Sequence, residues 1–234
     1  KRPVAFSGRL DIRNNVVYNW RSRPTDGGAN EVNFVSNYYK PGPASQIFVA
    51  LNAQLENFPG TQSYFFDGNV MPGRFDESNQ EAGRKISYVN RSQSSVTWDV
   101  FVDEEFFPSY VTTQTAGEAY EDVLADVGAN VPVLDDHDER VIEETRTGTA
   151  KYKGSKTGFP GLPDNEKDVG GLESYPQESR PSGWDTDDDG MPNAWETEHG
   201  LNPNDAEDRN GKELSVLGYT NLEMYLNELA GDLD

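Results

Sequence analysis

Short apolar runs and asparagine-rich turns alternate at a regular spacing along the first ninety residues. Asn15 and Asn37 are 22 positions apart, and Asn37 and Asn69 are 32 apart, which fits the same repeat with an inserted loop. Such a period is typical of stacked coils, because each coil buries its inward apolar side chains only against the next coil. An Asn at the same bend of successive coils can hydrogen-bond along the stack and tolerates a left-handed turn. With further strands at 85–89 and 96–101, the pattern predicts an all-β fold, a parallel β-helix; a β-sandwich with Asn-rich turns is the alternative.

The apolar spacing becomes helical after the last of these strands. A first helix is predicted from Thr115, where Thr115 and Glu118 form a capping box, to a stop at Gly128. A second helix is predicted from about 136 to 146, closed by Gly148. We expect these helices to pack on the flank of the coils or to cap their open end.

Glycine and proline mark a boundary in the second half of the chain. Residues 151–183 contain six glycines and four prolines, which predicts an extended linker anchored by Tyr152, Phe159 and Tyr175. The predicted organisation is therefore a domain of coils and flanking helices at 1–150, the linker at 151–183, and a separate acidic module at 184–234.

Composition excludes several classes of function. The 234 residues include 20 basic and 41 acidic side chains, and the net charge of −21 disfavours binding to nucleic acid or to anionic lipid. The chain has no cysteine and only two histidines, which removes thiol catalysis, disulfides and Cys/His zinc sites. No run of 18 apolar residues is present, so no membrane span is predicted, and the opening Lys1-Arg2-Pro3 is typical of a mature or cleaved end.

The charge is distributed unevenly. The first 100 residues carry 11 basic and 9 acidic side chains, a net charge of +2, and the remainder carries 9 basic and 32 acidic, a net charge of −23. A cationic patch in the first 23 residues indicates an anionic ligand, unless these side chains are ordinary ion-paired surface residues. The patch comprises Lys1, Arg2, Arg9, Arg13, Arg21 and Arg23, against Asp11 alone.

The acidic module contains the most specific motif in the chain. The twelve residues 185–196 fit the calcium-loop pattern D-x-D-x-D-G-x5-E at every specified position. Four carboxylates so close together would repel one another without a cation, and hard oxygen ligands predict Ca²⁺. The predicted ligands are Asp185, Asp187, Asp189, the carbonyl of Met191, Asn193 through a water, and Glu196 with both oxygens.

Two details refine this prediction. Pro192 has no backbone N–H to bridge to a partner loop, which predicts an unpaired loop with a structural task. Asp208, Asn210 and Glu223 resemble a degenerate second loop in which Lys212 occupies a ligand position. The alternative for Glu223 is a capping box with Thr220 at the start of a final helix that carries Leu222, Leu226 and Leu229 on one face.

Several segments together resemble bacterial pectate lyases of the first polysaccharide lyase family. They are Leu10–Trp20, Asn37–Ala44, Val123–Ala129, Asp138–Ile142 and the calcium-binding tail from Asp185 to Tyr225. The resemblance implies a right-handed parallel β-helix, secreted or periplasmic, that cleaves polygalacturonate or a related uronate polymer by β-elimination. It also implies that the chain begins in the middle of the family's β-helix, so that the missing coils belong to an N-terminal fragment of the same enzyme.

The resemblance also assigns site residues. The family's catalytic arginine pattern aligns with 1–6, which places Lys1 and Phe6 where the family has arginines. Lys1 is then the candidate base that removes the C5 proton of the uronate, and Arg2 the cation that holds its carboxylate. Arg9 and Arg13 are the candidate substrate-binding residues.

Two other functions stay open at this point. The first is a non-catalytic module in which the same basic patch binds an acidic glycan and the calcium loop stiffens the tail. The second is a hydrolase with paired carboxylates among Asp103, Glu104 and Glu105, which is disfavoured because adjacent residues of a strand point to opposite faces.

Overall fold

The computed structural model describes residues 8–53, 55, 60–89, 96–130, 133–173, 175 and 179–231. The chain forms two compact units: the first comprises Lys1–Asn130 and Leu134–Leu172, and the second comprises Val131–Val133 and Glu173–Asp234. The boundary after Leu172 falls within the segment predicted as a linker. Among the helices described, none has both the length and the apolar character that crossing a membrane requires.

Parallel pairing joins strands that are distant in sequence in the first unit. Within the described residues the strands form a four-stranded sheet of order β1-β4-β7-β9, a two-stranded sheet β2-β5 and a three-stranded sheet β3-β6-β8. The strands are β1 (Arg9–Arg13), β2 (Val16–Tyr18), β3 (Asp26–Gly27), β4 (Glu31–Val35), β5 (Tyr38–Lys40), β6 (Asn52–Ala53), β7 (Ser63–Asp67), β8 (Tyr88–Val89) and β9 (Phe101–Val102).

The core of the first unit follows from this register. Ile12 of β1 lies opposite Phe34 of β4, and Phe34 lies opposite Phe66 of β7. The rings of Phe34 and Phe66 are both fully buried, and their centroids are 5.3 Å apart in a stacked arrangement. Because alternate side chains of a strand point to one face, these apolar positions form a continuous core beneath the largest sheet.

The three repeated asparagines form the predicted ladder. Asn15 donates from Nδ2 to Asn37 Oδ1 at 2.9 Å, and Asn37 donates from Nδ2 to Asn69 Oδ1 at 2.9 Å. The sequence predicts the left-handed turns at these asparagines, but that prediction is wrong. The turns lie at the residue that precedes each of them: Asn14 (φ 55°), Ser36 (φ 51°) and Gly68 (φ 66°). The ladder residues themselves are thus selected for their side-chain amides.

Five α-helices and two short 3-10 helices are described. The two predicted helices are present: the first begins with the Thr115–Glu118 capping box, and the second ends at Gly148, which has φ 73°. The helices are α1 (Gln80–Ile86), α2 (Ala116–Asp126), α3 (Asp136–Thr147), α4 (Asn193–His199) and α5 (Asn221–Ala230), with 3-10 helices at Glu166–Val169 and Asp208–Asn210.

Two predicted strands are largely wrong. The first two residues of the segment 85–89 are the end of α1 and only its last two form β8, whereas the segment 96–101 contributes only the first residue of β9. Gly83 explains the misreading, because glycine in mid-helix weakens the helical signal. Its position requires glycine, since a Cβ there would lie 2.8 Å from Cε1 of Phe66.

The predicted all-β class, a right-handed parallel β-helix, is contradicted by the structure. The described part of the chain is mixed α/β, with 26% of the described residues in helices and 16% in strands, and its parallel sheets are small. The Asn repeat identified the parallel pairing of the first ninety residues correctly. The repeat gave no signal for α1, and α2 and α3, which were predicted separately, were counted only as flanks or caps of the coils.

The segment that follows α3, up to Leu172, packs as part of the first unit. The guanidinium of Arg21 lies 4.0 Å from the centre of the Phe159 ring, and Tyr152 is partly buried. Tyr175, the third predicted anchor, is 62% exposed. The segment is not wholly irregular, because Glu166–Val169 forms a 3-10 helix.

Candidate metal centre

The acidic loop of the second unit turns around the carboxylate of Asp185. Asp185 Oδ2 accepts a hydrogen bond from the backbone N–H of Gly190 at 2.9 Å, and its Oδ1 accepts one from Asp189 at 3.3 Å. Gly190 has φ 101°, a backbone conformation that only glycine adopts without strain. The tight turn predicted at this glycine is therefore present.

Asn193, the first residue of α4, closes the loop. Its Oδ1 accepts from the backbone N–H of Thr186 at 2.9 Å, and its Nδ2 donates to the carbonyl of Gly183 at 2.8 Å. The backbone N–H of Asn193 also donates to the carbonyl of Trp184 at 2.8 Å. The oxygen and the nitrogen of the Asn193 side-chain amide thus both connect the start of α4 to the start of the loop, a role that the motif did not predict. The predicted contact of Asn193 with a metal through a water stays a prediction.

Five carboxylates meet at this loop in two groups that share Asp189. One ligand oxygen from each of Asp185, Asp187 and Asp189 lies within 4.8 Å of the others, and the same holds for Asp189, Glu196 and Asp208. Oxygens on opposite sides of a Ca²⁺ ion are separated by about 4.6–5.2 Å, because each lies about 2.3–2.6 Å from it. The separations therefore suit carboxylates that surround a cation, and this acidic cluster could hold a metal ion.

The burial of these carboxylates supports the same conclusion. Glu196 is fully buried and Asp189 is 3% exposed. Six buried oxygens of the cluster have no hydrogen-bond donor among the described residues: both of Asp187, both of Glu196, one of Asp189 and one of Asp208. An ionised carboxylate out of water costs several kcal/mol unless a donor or a cation compensates it. The arrangement fits a bound cation.

The pKa shifts of the clustered carboxylates in the absence of a cation also support a bound cation. Burial, followed by repulsion from Asp189, Asp187, Asp208 and Asp185, raises the pKa of Glu196 to about 7. Burial is also the main cause that raises the pKa of Asp189. A cation at the cluster would remove the cause of both shifts, because it favours the charged form of each carboxylate.

Asp208 is the member of the cluster that the sequence assigned to a different site. The motif places it in a degenerate second loop with Asn210 and Glu223. In the structure Asp208 begins the 3-10 helix Asp208–Asn210 and joins Asp189 and Glu196. The available signal was the incompleteness of that second loop, which left its first acidic residue without partners of its own.

The structure also bears on the predictions for Met191 and for the degenerate second loop. The Met191 side chain is fully buried, and its backbone N–H donates to Asp189 Oδ1 at 2.8 Å; the carbonyl's contact with a metal stays a prediction. Glu223 forms the capping box of α5, accepting from the backbone N–H of Thr220 at 2.6 Å. The capping alternative for Glu223 is thus the one present. The buried aromatic residue of α5 is Tyr225, whereas Leu226 and Leu229, predicted to share one face of the helix with Leu222, are each 52% exposed.

The two predicted substrate-binding arginines lie on β1 and have different surroundings. Arg9 pairs with Glu31 at 2.6 Å and its side chain is 57% exposed. Only 5% of the Arg13 side chain is exposed, and its nitrogens reach Asp11 at 2.8 Å, Thr113 at 2.5 Å and Glu105 at 3.4 Å. Arg9 therefore presents a charge to solvent, whereas Arg13 is committed to partners within the first unit. Substrate binding by either residue stays a prediction.

Other candidate residues are placed as follows. Lys1 and Arg2, the predicted catalytic residues, lie outside the described residues. Asp103 pairs with Arg84 at 3.0 Å and Glu105 with Arg13 at 3.4 Å. Because these carboxylates pair with different arginines, the structure does not favour a hydrolytic pair among Asp103, Glu104 and Glu105.

Comparison with known proteins adds no relative. No protein-family model matches the sequence, and no curated protein matches it either.

Proposed function

We propose that this protein binds Ca²⁺ in its second unit and that its first unit acts on an anionic polysaccharide, cleaving polygalacturonate or a related uronate polymer by β-elimination. The observation that carries the calcium assignment is the set of six buried carboxylate oxygens without donors. The lyase activity rests on the resemblance of the quoted segments to pectate lyases and on the surroundings of Arg9.

The donor set supports Ca²⁺ over other metals. Ca²⁺ takes six to eight oxygen ligands in flexible geometry, and six unpaired oxygens reach the lower end of that range before any carbonyl or water is added. Zn²⁺ favours four nitrogen or sulfur ligands, which this cluster does not offer. Mg²⁺ usually keeps several of its waters and uses one or two carboxylates, which suits a cluster of five poorly.

Two observations on the first unit are consistent with binding of a uronate polymer. The segments that resemble the lyase family include β1, β2 and β5, and these strands pair in parallel with β4 and with each other. The exposed ion pair of Arg9 with Glu31 is cheap to exchange, because an exposed pair contributes about 0–1 kcal/mol. A uronate carboxylate can therefore compete for this guanidinium.

The proposed reaction requires a base and a cation. The base removes the C5 proton, the C4 oxygen leaves, and a double bond forms between C4 and C5. Lysine suits the role of base because its pKa falls when it is buried or placed beside other cations, whereas arginine scarcely deprotonates. Lys1 is the proposed base and Arg2 the proposed partner of the carboxylate.

Calcium binding is tested by titrating the metal-free protein with CaCl₂ and, separately, with MgCl₂ in a calorimeter. We expect saturable binding of Ca²⁺ and at least about tenfold weaker binding of Mg²⁺. Absence of saturable Ca²⁺ binding would contradict the assignment of the metal.

The lyase is tested by the ultraviolet absorbance of the unsaturated product after addition of polygalacturonate. We expect product from the wild type, loss of activity in Lys1→Ala, weaker binding in Arg9→Ala, and no change in the control Lys85→Ala, an exposed lysine on α1. Binding without product would favour the glycan-binding module. Unchanged product formation in Lys1→Ala would contradict the assignment of the base, and neither binding nor product would contradict both functions.

A further inference from the structure

We infer that the acidic cluster binds a single Ca²⁺ ion through both halves of the second unit, with Asp208 as a ligand that ties the region around α5 to the loop 185–196. This inference rests on the proposed calcium binding and specifies its stoichiometry and its structural consequence. The first half contributes Asp185, Asp187, Asp189 and Glu196; the second half contributes Asp208 alone.

The oxygen count favours one ion over two. Two ions would need at least about twelve oxygen ligands, whereas the described part of the cluster has six carboxylate oxygens without a donor. Asp189 is the residue shared by the two groups, and only its Oδ2 is unpaired, because Oδ1 accepts from the Met191 backbone N–H at 2.8 Å. A single ion near Asp189 Oδ2 would be shared by both groups, because Asp189 belongs to each.

Asp208 is oriented for this role by its hydrogen bonds. Its Oδ2 accepts from the backbone N–H of Asn202 at 2.8 Å, which leaves Oδ1 buried and without a donor among the described residues. Its carbonyl accepts from Nδ2 of Asn221, the fully buried first residue of α5, at 2.8 Å. Asn221 therefore positions Asp208 from the second half, and an ion bound to Asp208 stabilises this contact together with the loop.

The ion thus adds a link to the existing contacts between α4 and α5, which include the hydrogen bond from Trp195 Nε1 to Glu228 Oε2 at 2.7 Å. Glu196 lies in α4, whereas Asp208 lies in a 3-10 helix twelve residues further along the chain and is held by α5. The degenerate second loop is then explained, because it supplies one ligand to the first site instead of forming a site of its own. Lys212, which occupies a ligand position of the degenerate second loop, is exposed.

The test is a calcium titration of the full chain as wild type, Asp208→Asn and the control Asp205→Asn. An Asn at 208 keeps an oxygen that accepts from Asn202, so the substitution mainly removes charge. Asp205 is exposed, and its side chain accepts a hydrogen bond from the backbone N–H of Glu207 at 3.3 Å. We expect one ion per wild-type chain, at least about tenfold weaker binding in Asp208→Asn, and unchanged binding in Asp205→Asn.

Each other outcome decides between the proposals. Wild-type affinity in Asp208→Asn, or two ions per chain, would overturn this inference while leaving calcium binding intact. No binding by the wild type would overturn the proposed calcium function itself.

Hydrogen exchange of the wild type covers the case in which Asp208→Asn does not fold. We expect added Ca²⁺ to slow exchange of backbone amides both in the loop 185–196 and in the region 202–224. Protection confined to the loop would contradict the role of Asp208.

Discussion

The carboxylate of Glu196 lies in a fully buried position with four aspartates around it. Its two oxygens have no hydrogen-bond donor among the described residues. The same negative charge is therefore unfavourable without a cation and favourable with one. A substitution that removes only the charge separates these two effects.

Glu196→Gln is expected to change calcium affinity and metal-free stability in opposite directions. The variant loses a charged ligand, so calcium affinity should fall at least about tenfold. In metal-free protein at about pH 8, the neutral side chain no longer repels Asp189, so the thermal midpoint of the second unit should rise. Calorimetric titration measures the first effect and thermal unfolding followed by tryptophan fluorescence measures the second.

Glu198→Gln is the matched control, because Glu198 lies on the same helix and is exposed. Both of its values should stay close to those of the wild type. Equal affinity in Glu196→Gln and the wild type would exclude Glu196 as a ligand.

Residue spacing within one loop was sufficient to identify most of the candidate site. The motif predicted Asp185, Asp187, Asp189 and Glu196, because their relative positions follow from the turn at Gly190. It did not predict that Asp208 joins them, since that depends on how the chain returns after α4. Local spacing shows only ligands that the local backbone brings together.

At the scale of elements, the asparagine ladder joins the strands of the first unit through side chains. Asn37 is fully buried and lies between the other two members. Its Oδ1 accepts from the Asn15 backbone N–H at 3.1 Å, and its Nδ2 donates to the Ile12 carbonyl at 3.0 Å and to Asn69 Oδ1. Removal of this amide leaves several polar groups without partners in the interior.

Asn37→Ala is expected to destabilise the first unit by about 2–4 kcal/mol, because each buried polar group left unpaired costs about 1–3 kcal/mol. Asn15→Ala is the control: Asn15 is exposed at the end of the ladder, and its loss should cost less than about 1 kcal/mol. Urea unfolding of both variants measures the difference. Equal losses of unfolding free energy in the two variants would show that burial of the ladder does not contribute to the stability of the first unit.

Elements with a specific end signal were predicted best. The Thr115–Glu118 capping box located α2, and Gly148 located the end of α3, because each signal satisfies backbone groups that the helix end leaves unpaired. The helix α1 was missed because Gly83 accommodates the packing of Phe66, a contact between elements distant in sequence. The class of fold was wrong because the repeat showed how the strands pair, whereas α2 and α3, although predicted, were counted only as flanks or caps of the coils.

At the scale of the whole molecule, much of the negative charge belongs to the second unit. Residues 173–234 contain 16 acidic and 3 basic side chains, a net charge of −13 out of the total of −21. A divalent cation at the acidic cluster offsets part of this charge where the carboxylates are closest together. We therefore expect the metal-free second unit to lose stability as the pH rises, and the calcium-bound form to keep or gain stability over the same range.

The direction of the pH dependence of stability follows from the pKa of Glu196, which is about 7 in the metal-free folded chain against an ordinary value of 4.5. Below pH 4.5 the carboxyl is protonated in both the folded and the unfolded chain, and its contribution to stability is fully present. As the pH rises toward about 7, the unfolded chain ionises first, so the metal-free second unit loses stability. With saturating Ca²⁺ the ion binds the ionised form, so stability should hold or rise over the same range. Thermal unfolding of dialysed protein at about pH 5 and about pH 8, with and without Ca²⁺, measures both trends. A metal-free midpoint that rises with pH would contradict the buried, unpaired state of this carboxylate.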